Sequence, residues 1–391
     1  MGIVLQEVTG MQYGNRFYPA ISGVARSINF YPIAPEKPED GIVNIAFGLG
    51  KFIVDGGNGL RFSPRYPKKV LQLSTPELAL SETQKTFFAL DLNPDAFIPN
   101  TDDTVNLLKL KVKDAEEDSA LRLVASTFDY DSNSVKDGTM GKGKRIITFS
   151  QLLIHNTFPL AEILQTILDI GQKEMGKPVE IEFAVNLDLP KNESRIFSLL
   201  QIRPIVGKYN TVNLKLDDIR PGDAIILSNT ALGNGIIKDI RDFIYIKPEV
   251  FDASKSQEIG RRLEFINERF LSEKKNYVLV GPGRWGSADP WLGIPVRWPQ
   301  ISAARLIVES GLENYRIDPS QGTHFFQNLT SFNVGYFTIN PYLKDGFYDL
   351  EYLSGQNAFY EDEYIRHIRF ENPMRIEIDG KKNIGVVYKP S

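Results

Sequence analysis

The segment Val179-Glu180-Ile181-Glu182-Phe183-Ala184-Val185 alternates polar with apolar residues, which in a strand sends Glu180 and Glu182 to one face and Ile181 and Phe183 to the other. After a polar turn around Lys191-Asn192-Glu193, the run Ile196-Phe197-Ser198-Leu199-Leu200-Gln201-Ile202-Arg203 reads as a returning strand. Pro204 ends the pairing because it has no N–H to offer. Gln201 and Arg203, two residues apart, share a face, so the hairpin gathers two carboxylates, an amide and a guanidinium on one patch. Carboxylate and amide oxygens are hard ligands of the kind Mg²⁺ prefers, and an arginine braces phosphate oxygens with two parallel hydrogen bonds. The functional reading is therefore Mg–nucleotide binding. A half-exposed hairpin carrying a cross-strand salt bridge fits the same pattern, and spacing alone does not choose between the two.

A second set of candidates lies further on. Gly281-Pro282-Gly283-Arg284-Trp285-Gly286 follows an apolar strand and formally fits a dinucleotide fingerprint, but Asp289-Pro290, Gly293 and Pro295 follow where that fingerprint requires a helix. Residues 281–298 read better as a binding loop in which Arg284 and Arg297 meet anions and Trp285, Trp291 and Trp298 form walls. Alternatively the tryptophans pin an irregular loop to the core. His324, in Gly322-Thr323-His324-Phe325, could accept a phosphoryl group or sit packed among its aromatic neighbours. His155 and His367 read as structural.

These groups need elements to hold them. Glycine-punctuated β-formers at 3–8, 22–27, 41–46 and 52–55 predict strands of one sheet. Residues 67–148 are polar and loop-rich, an insertion or subdomain with one strand at 121–126 and a loop over 136–144. Leu160, Ile163, Leu164, Ile167 and Leu168 follow a helical period that Gly176-Lys177-Pro178 stops. From residue 207 a second domain is expected. Its strands fall near 223–228, 243–246 and 277–280, its amphipathic helix over 254–274, another helix at 302–310, and a closing hairpin over 374–388. Alternating strands and helices favour an α/β (α+β) fold over an all-β one, with domains at 1–206 and 207–391.

Composition narrows the function classes. The 391 residues carry 45 Lys plus Arg against 49 Asp plus Glu, a net charge of −4, so no positive field is available to hold a nucleic-acid backbone. There is no cysteine, which excludes disulfides, thiolate metal sites and cysteine nucleophiles, and three histidines leave little for a histidine-based centre. No apolar run approaches the roughly 18 residues that span a bilayer, and the start lacks a targeting pattern. The expectation is a cytoplasmic protein with neither a membrane nor a nucleic-acid partner.

Five blocks in order carry a resemblance: Val4-Leu5-Gln6-Glu7-Val8-Thr9-Gly10, Ser22-Gly23-Val24-Ala25-Arg26-Ser27-Ile28-Asn29, Gly48-Leu49-Gly50-Lys51-Phe52-Ile53-Val54-Asp55-Gly56-Gly57, Glu180-Ile181-Glu182-Phe183-Ala184 and Leu200-Gln201-Ile202-Arg203-Pro204-Ile205. Together they resemble the second half of the ATP-grasp nucleotide-binding domain of the phosphoenolpyruvate synthase and pyruvate phosphate dikinase family, over residues 3–206 with 67–148 as a long insertion. The resemblance implies an ATP-dependent phosphotransferase with ATP and Mg as cofactors and a small-molecule substrate. Residue by residue, it implies Glu182 and Gln201 as metal and triphosphate ligands, with Glu180, the acidic residue two positions before, as a further metal ligand. Arg203 would be the phosphate contact and catalytic group, Ser27 a hydroxyl near the phosphates, and Gln6 and Glu7 would lie beside the adenine.

The chain also departs from the family. Lys51 stands where an acidic residue usually follows Gly-Leu-Gly, and an ammonium cannot accept a hydrogen bond from a ribose hydroxyl. The family's lysine and arginine that reach the triphosphate precede the Gln-Glu strand. The expected partner is therefore an upstream N-terminal part of the same protein, and the isolated chain is expected to turn over little ATP. The family's Thr-Ser-His phosphohistidine segment and barrel cysteine have no counterpart. The competing expectation is a non-catalytic ligand- or partner-binding module that uses the Trp/Arg loop and keeps a vestigial nucleotide site.

Overall fold

The computed structural model describes residues 6–57, 59–99, 104–189, 193–205, 212–287, 293–311, 329 and 332–390. Contacts divide the chain into two compact units, Met1–Asn29 with Glu39–Ile205 and Phe30–Pro38 with Val206–Ser391. Both mix helices with sheets, the α/β class that the alternating pattern predicts.

The first unit contains strands β1 (Met11–Tyr13), β2 (Arg16–Tyr18), β3 (Ile21–Arg26), β4 (Ile42–Ala46), β5 (Leu60–Phe62), β6 (Thr86–Asp91) and β7 (Leu107–Lys111). They are followed by β8 (Ala125–Asp129), β9 (Ser134–Asp137), β10 (Lys144–Ile147), β11 (Val179–Asn186) and β12 (Ile196–Pro204). Its helices are α1 (Lys51–Val54), α2 (Pro76–Glu82), α3 (Ser119–Val124), α4 (Ser150–Leu153) and α5 (Leu160–Met175). The sheet that matters for function is antiparallel, in the order β12-β11-β3-β4-β5.

Alternation gives this sheet two unlike faces. Val43, Ile45, Ile181 and Phe183 turn to a core that Leu164 and Leu168 of α5 enter from above, because leucines four apart lie on one side of a helix. That helix stops at Gly176, whose φ of 62° is the left-handed cap that glycine adopts without a Cβ penalty. Close packing also dictates Gly23. A Cβ there would stand 2.3 Å from the Phe183 ring and 3.0 Å from Ile45, so the ring can cross β3 only over a glycine. Gly23→Ala is expected to destabilise the protein by about 1–3 kcal/mol through overpacking, read as a lower denaturation midpoint in urea. An unchanged midpoint would mean the ring has room to move.

The loop-rich stretch 67–148 supplies Phe87, Ala89, Leu121 and Val124 to that same core, and a small cluster of Ala79, Phe128 and Ile146 besides. Several sequence-based expectations are corrected here. Residues 52–55, expected as a strand, belong to the short helix α1: Ile53 and Val54 both donate to the Gly50 carbonyl, and burial of Phe52 overrides the β preference of Ile-Val. Residues 121–124, also expected extended, complete α3, since Ala120, Leu121 and Val124 present one buried helical face, and the strand begins only at Ala125. Residues 6–10 form no strand, and residues 3–5 of the expected first strand lie outside the described residues.

The second unit has strands β13 (Ala224–Ser228), β14 (Thr230–Leu232), β15 (Gly235–Ile246), β16 (Tyr277–Pro282), β17 (Arg284–Trp285) and β18 (Gly293–Ile294). Then come β19 (Ala304–Ser310), β20 (Gly335–Ile339), β21 (Phe347–Tyr348), β22 (Ala358–Glu361), β23 (Ile365–Asp379) and β24 (Ile384–Tyr388). Ten of these build one sheet in the order β14-β20-β19-β16-β15-β23-β24-β13-β21, with β22 on β23. Its centre, β15, β16, β19 and β20, is parallel. The helix α6 (Ser256–Glu273) makes the crossover from β15 to β16 and buries Ile259, Leu263 and Phe270. Residues 302–310, expected as a helix, instead enter β19. Leu306, Ile307 and Val308 are buried on both faces of a parallel sheet, where a continuous apolar run replaces alternation. Among the described residues, no helix is long and apolar enough to cross a membrane.

Candidate functional site

The face of the five-stranded sheet opposite its core carries the polar residues in two rungs. On the first, Arg26 of β3, Glu180 of β11 and Arg203 of β12 are direct neighbours across the strands. On the second, Arg61, Asn44, Val24, Glu182 and Gln201 run from β5 to β12. The β11/β12 register expected from the sequence is thus the one observed, Glu180 opposite Arg203 and Glu182 opposite Gln201. Immediately beyond that pair the register shifts, so that Phe183 faces Leu199 and Leu200 bulges out. A bulge ends regular pairing beside the patch and turns the strand more sharply there.

The first rung is a charge cluster. Arg26 Nε reaches Glu180 Oε2 at 2.5 Å, while Arg203 donates to Oε1 from Nε at 2.9 Å and also from Nη2. Glu180 is buried, its side chain 9% exposed, against 39% for Arg26 and 57% for Arg203. Burial by itself would raise the Glu180 carboxyl, but the charge of Arg26 and the hydrogen bonds from Arg203 and Arg26 outweigh it and hold the group below the ordinary glutamate value. A depressed folded value means the carboxylate stabilises the fold above its unfolded value of about 4.3, and that contribution is lost as pH falls through the folded value. Glu180→Gln should therefore lower the melting temperature at neutral pH, with the gap to the parent closing as pH drops below about 4. A constant gap across the acid limb would show that the ionised pair contributes nothing.

The second rung is different in kind. Among the described residues, neither Glu182, half-buried, nor Gln201, exposed, makes a side-chain hydrogen bond or ion pair. Asn44 Oδ1, further along the same rung, is buried with no hydrogen-bond partner among the described residues. Arg61 at its end donates to Asn29 Oδ1 at 2.9 Å. With both Glu180 oxygens taken by guanidiniums, the oxygens open to a cation here are those of Glu182 and Gln201, and this donor set suits a hard ion that brings further oxygens on its own ligand. Among the described residues, no group of three or more His, Asp or Glu side chains could hold a metal by itself.

The other expected residues are less concentrated. Ser27 follows Arg26, but its Oγ accepts from the Val179 N–H at 2.9 Å and its own N–H donates to the Val179 carbonyl, so its oxygen serves the β3–β11 pairing. Gln6 donates from Nε2 to the carbonyl of the bulged Leu200 at 3.2 Å, and Glu7 beside it is exposed. Gln6 therefore borders β12, and neither residue occupies a strand. Lys51 opens α1 and pairs with Asp55 at 3.4 Å.

In the second unit Trp285 is 1% exposed. Its ring N–H donates to the Val308 carbonyl at 3.0 Å and its backbone N–H to Glu309 at 2.9 Å. It pins the loop, and cannot be a wall open to a ligand. Arg284 is half-buried on β17 and Arg297 exposed, and no helix starts at Gly281–Ser287, as a dinucleotide site would need. Trp298 stacks on Phe332 at 5.3 Å. Trp291 and His324 lie outside the described residues.

Sequence reasoning missed Arg26 and Arg61 as members of the patch. Arg26 sits inside a block already matched to a family, yet only the β3/β11 register places it against Glu180. Arg61 needs two further strand pairings before it joins the rung.

Comparison with known proteins gives one family: a model described as pyruvate phosphate dikinase, AMP/ATP-binding domain, matches residues 1–220. No curated protein matches the chain.

Proposed function

Since the chain belongs to the pyruvate phosphate dikinase AMP/ATP-binding domain family, matched over more than half its length, we propose that the polar face of the five-stranded sheet binds the triphosphate of Mg·ATP for phosphoryl transfer. The observation that carries the reading is the pair Glu182–Gln201. An acid and an amide stand side by side with no hydrogen-bond or ion-pair partner among the described residues, one rung from a half-exposed guanidinium, on a sheet whose other polar groups are mostly engaged.

In this reading Glu182 and Gln201 hold the magnesium ion, and Arg203 swings its planar fork onto a phosphate. When bound, the ion supplies positive charge that offsets the phosphates and the charge developing on the transferring group. Glu180 acts as counter-ion rather than ligand, because both of its oxygens are already engaged. Gln6, at the β12 border, and Glu7 next to it in the chain flank the base end of the nucleotide, and Ser27 supports the strand that carries Arg26. The reaction class is that of phosphoenolpyruvate synthase, an ATP-dependent phosphotransfer to a small acceptor.

A second reading, a binding module with a vestigial nucleotide site, rests on Lys51, which pairs with Asp55 where the family usually has an acid. Titration calorimetry of the full chain separates the two. ATP in magnesium should give saturable heat at millimolar concentration or below, markedly weakened by EDTA. No heat with Mg·ATP at millimolar concentration would overturn the first reading and leave the second.

A further inference from the structure

We propose that Arg26 is a positioning residue, the standing counter-ion of Glu180 that frees Arg203 to leave this carboxylate for the nucleotide's phosphate. The inference rests on the nucleotide reading above and extends it to a residue outside the expected ligand set.

The argument begins with charge. One buried carboxylate is shared by two guanidiniums, so the rung carries a net positive charge, and each oxygen has its own donor: Oε2 has Arg26 and Oε1 has Arg203. Removing one partner from a buried ion pair is ordinarily costly, because the other charge is left desolvated and uncompensated. A lone Glu180–Arg203 pair would therefore hold Arg203 in place, and an uncovered Glu180 would repel an incoming polyphosphate from one rung away. With Arg26 on the second oxygen, departure of Arg203 leaves a compensated pair behind.

Position then distinguishes the two arginines. Arg203 lies on β12, the outermost strand of this sheet among the described residues, and is the more exposed of the two. Arg26 lies on β3, the middle strand, paired on both sides by β11 and β4. The edge guanidinium is the one free to move, and the central one is the one fixed.

A double-mutant cycle on the full chain tests this, with Mg·ATP affinity read by calorimetry and folding checked by circular dichroism. Arg26→Met should weaken Mg·ATP binding about tenfold or more, because Arg203 is then held by Glu180. Adding Glu180→Gln should restore affinity to within about threefold of the Glu180→Gln single variant, since no carboxylate remains to hold Arg203. Arg26→Lys should recover most of the loss, as an ammonium can still cover one oxygen. If Arg26→Met fails to fold, Arg26→Gln in the Glu180→Gln background, which leaves no unpaired buried charge, is compared with the Glu180→Gln variant alone, and equal affinity is expected.

Unchanged affinity in Arg26→Met overturns the proposal. So does a loss that Glu180→Gln does not rescue, which would mean Arg26 touches the phosphates itself. Either result leaves the nucleotide reading standing as long as the parent chain binds Mg·ATP, whereas a parent chain that binds none overturns that reading and this inference together.

Discussion

Glu182→Ala is expected to lose affinity for ATP in magnesium on the order of 100-fold, close to 3 kcal/mol, while magnesium-free ATP binds nearly as before. The size follows from removing a charged ligand, and the metal dependence from the absence of any other role for the group. Among the described residues Glu182 makes no hydrogen bond or ion pair, and its charge reaches the exposed Arg203 only at a distance, so its removal leaves no buried charge behind. Thermal stability should shift by less than the scatter between surface variants, about 0.5 kcal/mol. Glu180→Ala two residues earlier should behave in the opposite manner. It leaves two guanidiniums without their shared counter-ion, so stability falls while Arg203 stays free for phosphate. Calorimetry with and without EDTA, alongside melting curves, reads both variants. Equal Mg·ATP affinity in the parent chain and Glu182→Ala would remove the metal from this rung.

The second large effect concerns the other unit. Trp285→Ala should cost about 3–5 kcal/mol, the range for deleting a large buried ring and leaving a cavity. The indole is 1% exposed, donates to the Val308 carbonyl, and packs so tightly that a Cβ on Gly281 would come within 2.4 Å of it. Collapse around the cavity is restricted because β16 and β19, which flank the ring, are already paired with each other. Trp285→Phe keeps most of the volume but leaves the Val308 carbonyl without its donor, and should cost less, about 1–3 kcal/mol. Urea unfolding measures both. A cost below about 1 kcal/mol for Trp285→Ala would mean that the ring is not a pin, and would reopen its use as a ligand wall.

Some of this protein was legible in its residues alone. The Glu-x-Glu and Gln-x-Arg spacings determined the patch, because side chains two apart on a strand must share a face and a proline had to end the pairing. The leucine period and Gly176 determined that a helix exists and ends at Met175, since helical burial and a left-handed stop are both local properties. The same local logic failed at 52–55, 121–124 and 304–310. Those segments are short apolar runs, and whether such a run coils or extends depends on what covers it.

Tertiary structure alone decided what each charge does. Glu180 and Glu182 look alike in the sequence, two acids on one alternating strand. The β3 register sets an arginine against the first and a valine against the second. One carboxylate thereby becomes a buried counter-ion and the other remains available. Likewise nothing local distinguishes Trp285 as a pin from Trp285 as a wall, because the Val308 carbonyl that fixes its ring lies on a strand 23 residues further along. Spacing sets which side chains share a face, but pairing between distant strands sets which of them meet, and for charged and aromatic groups the partner determines the role.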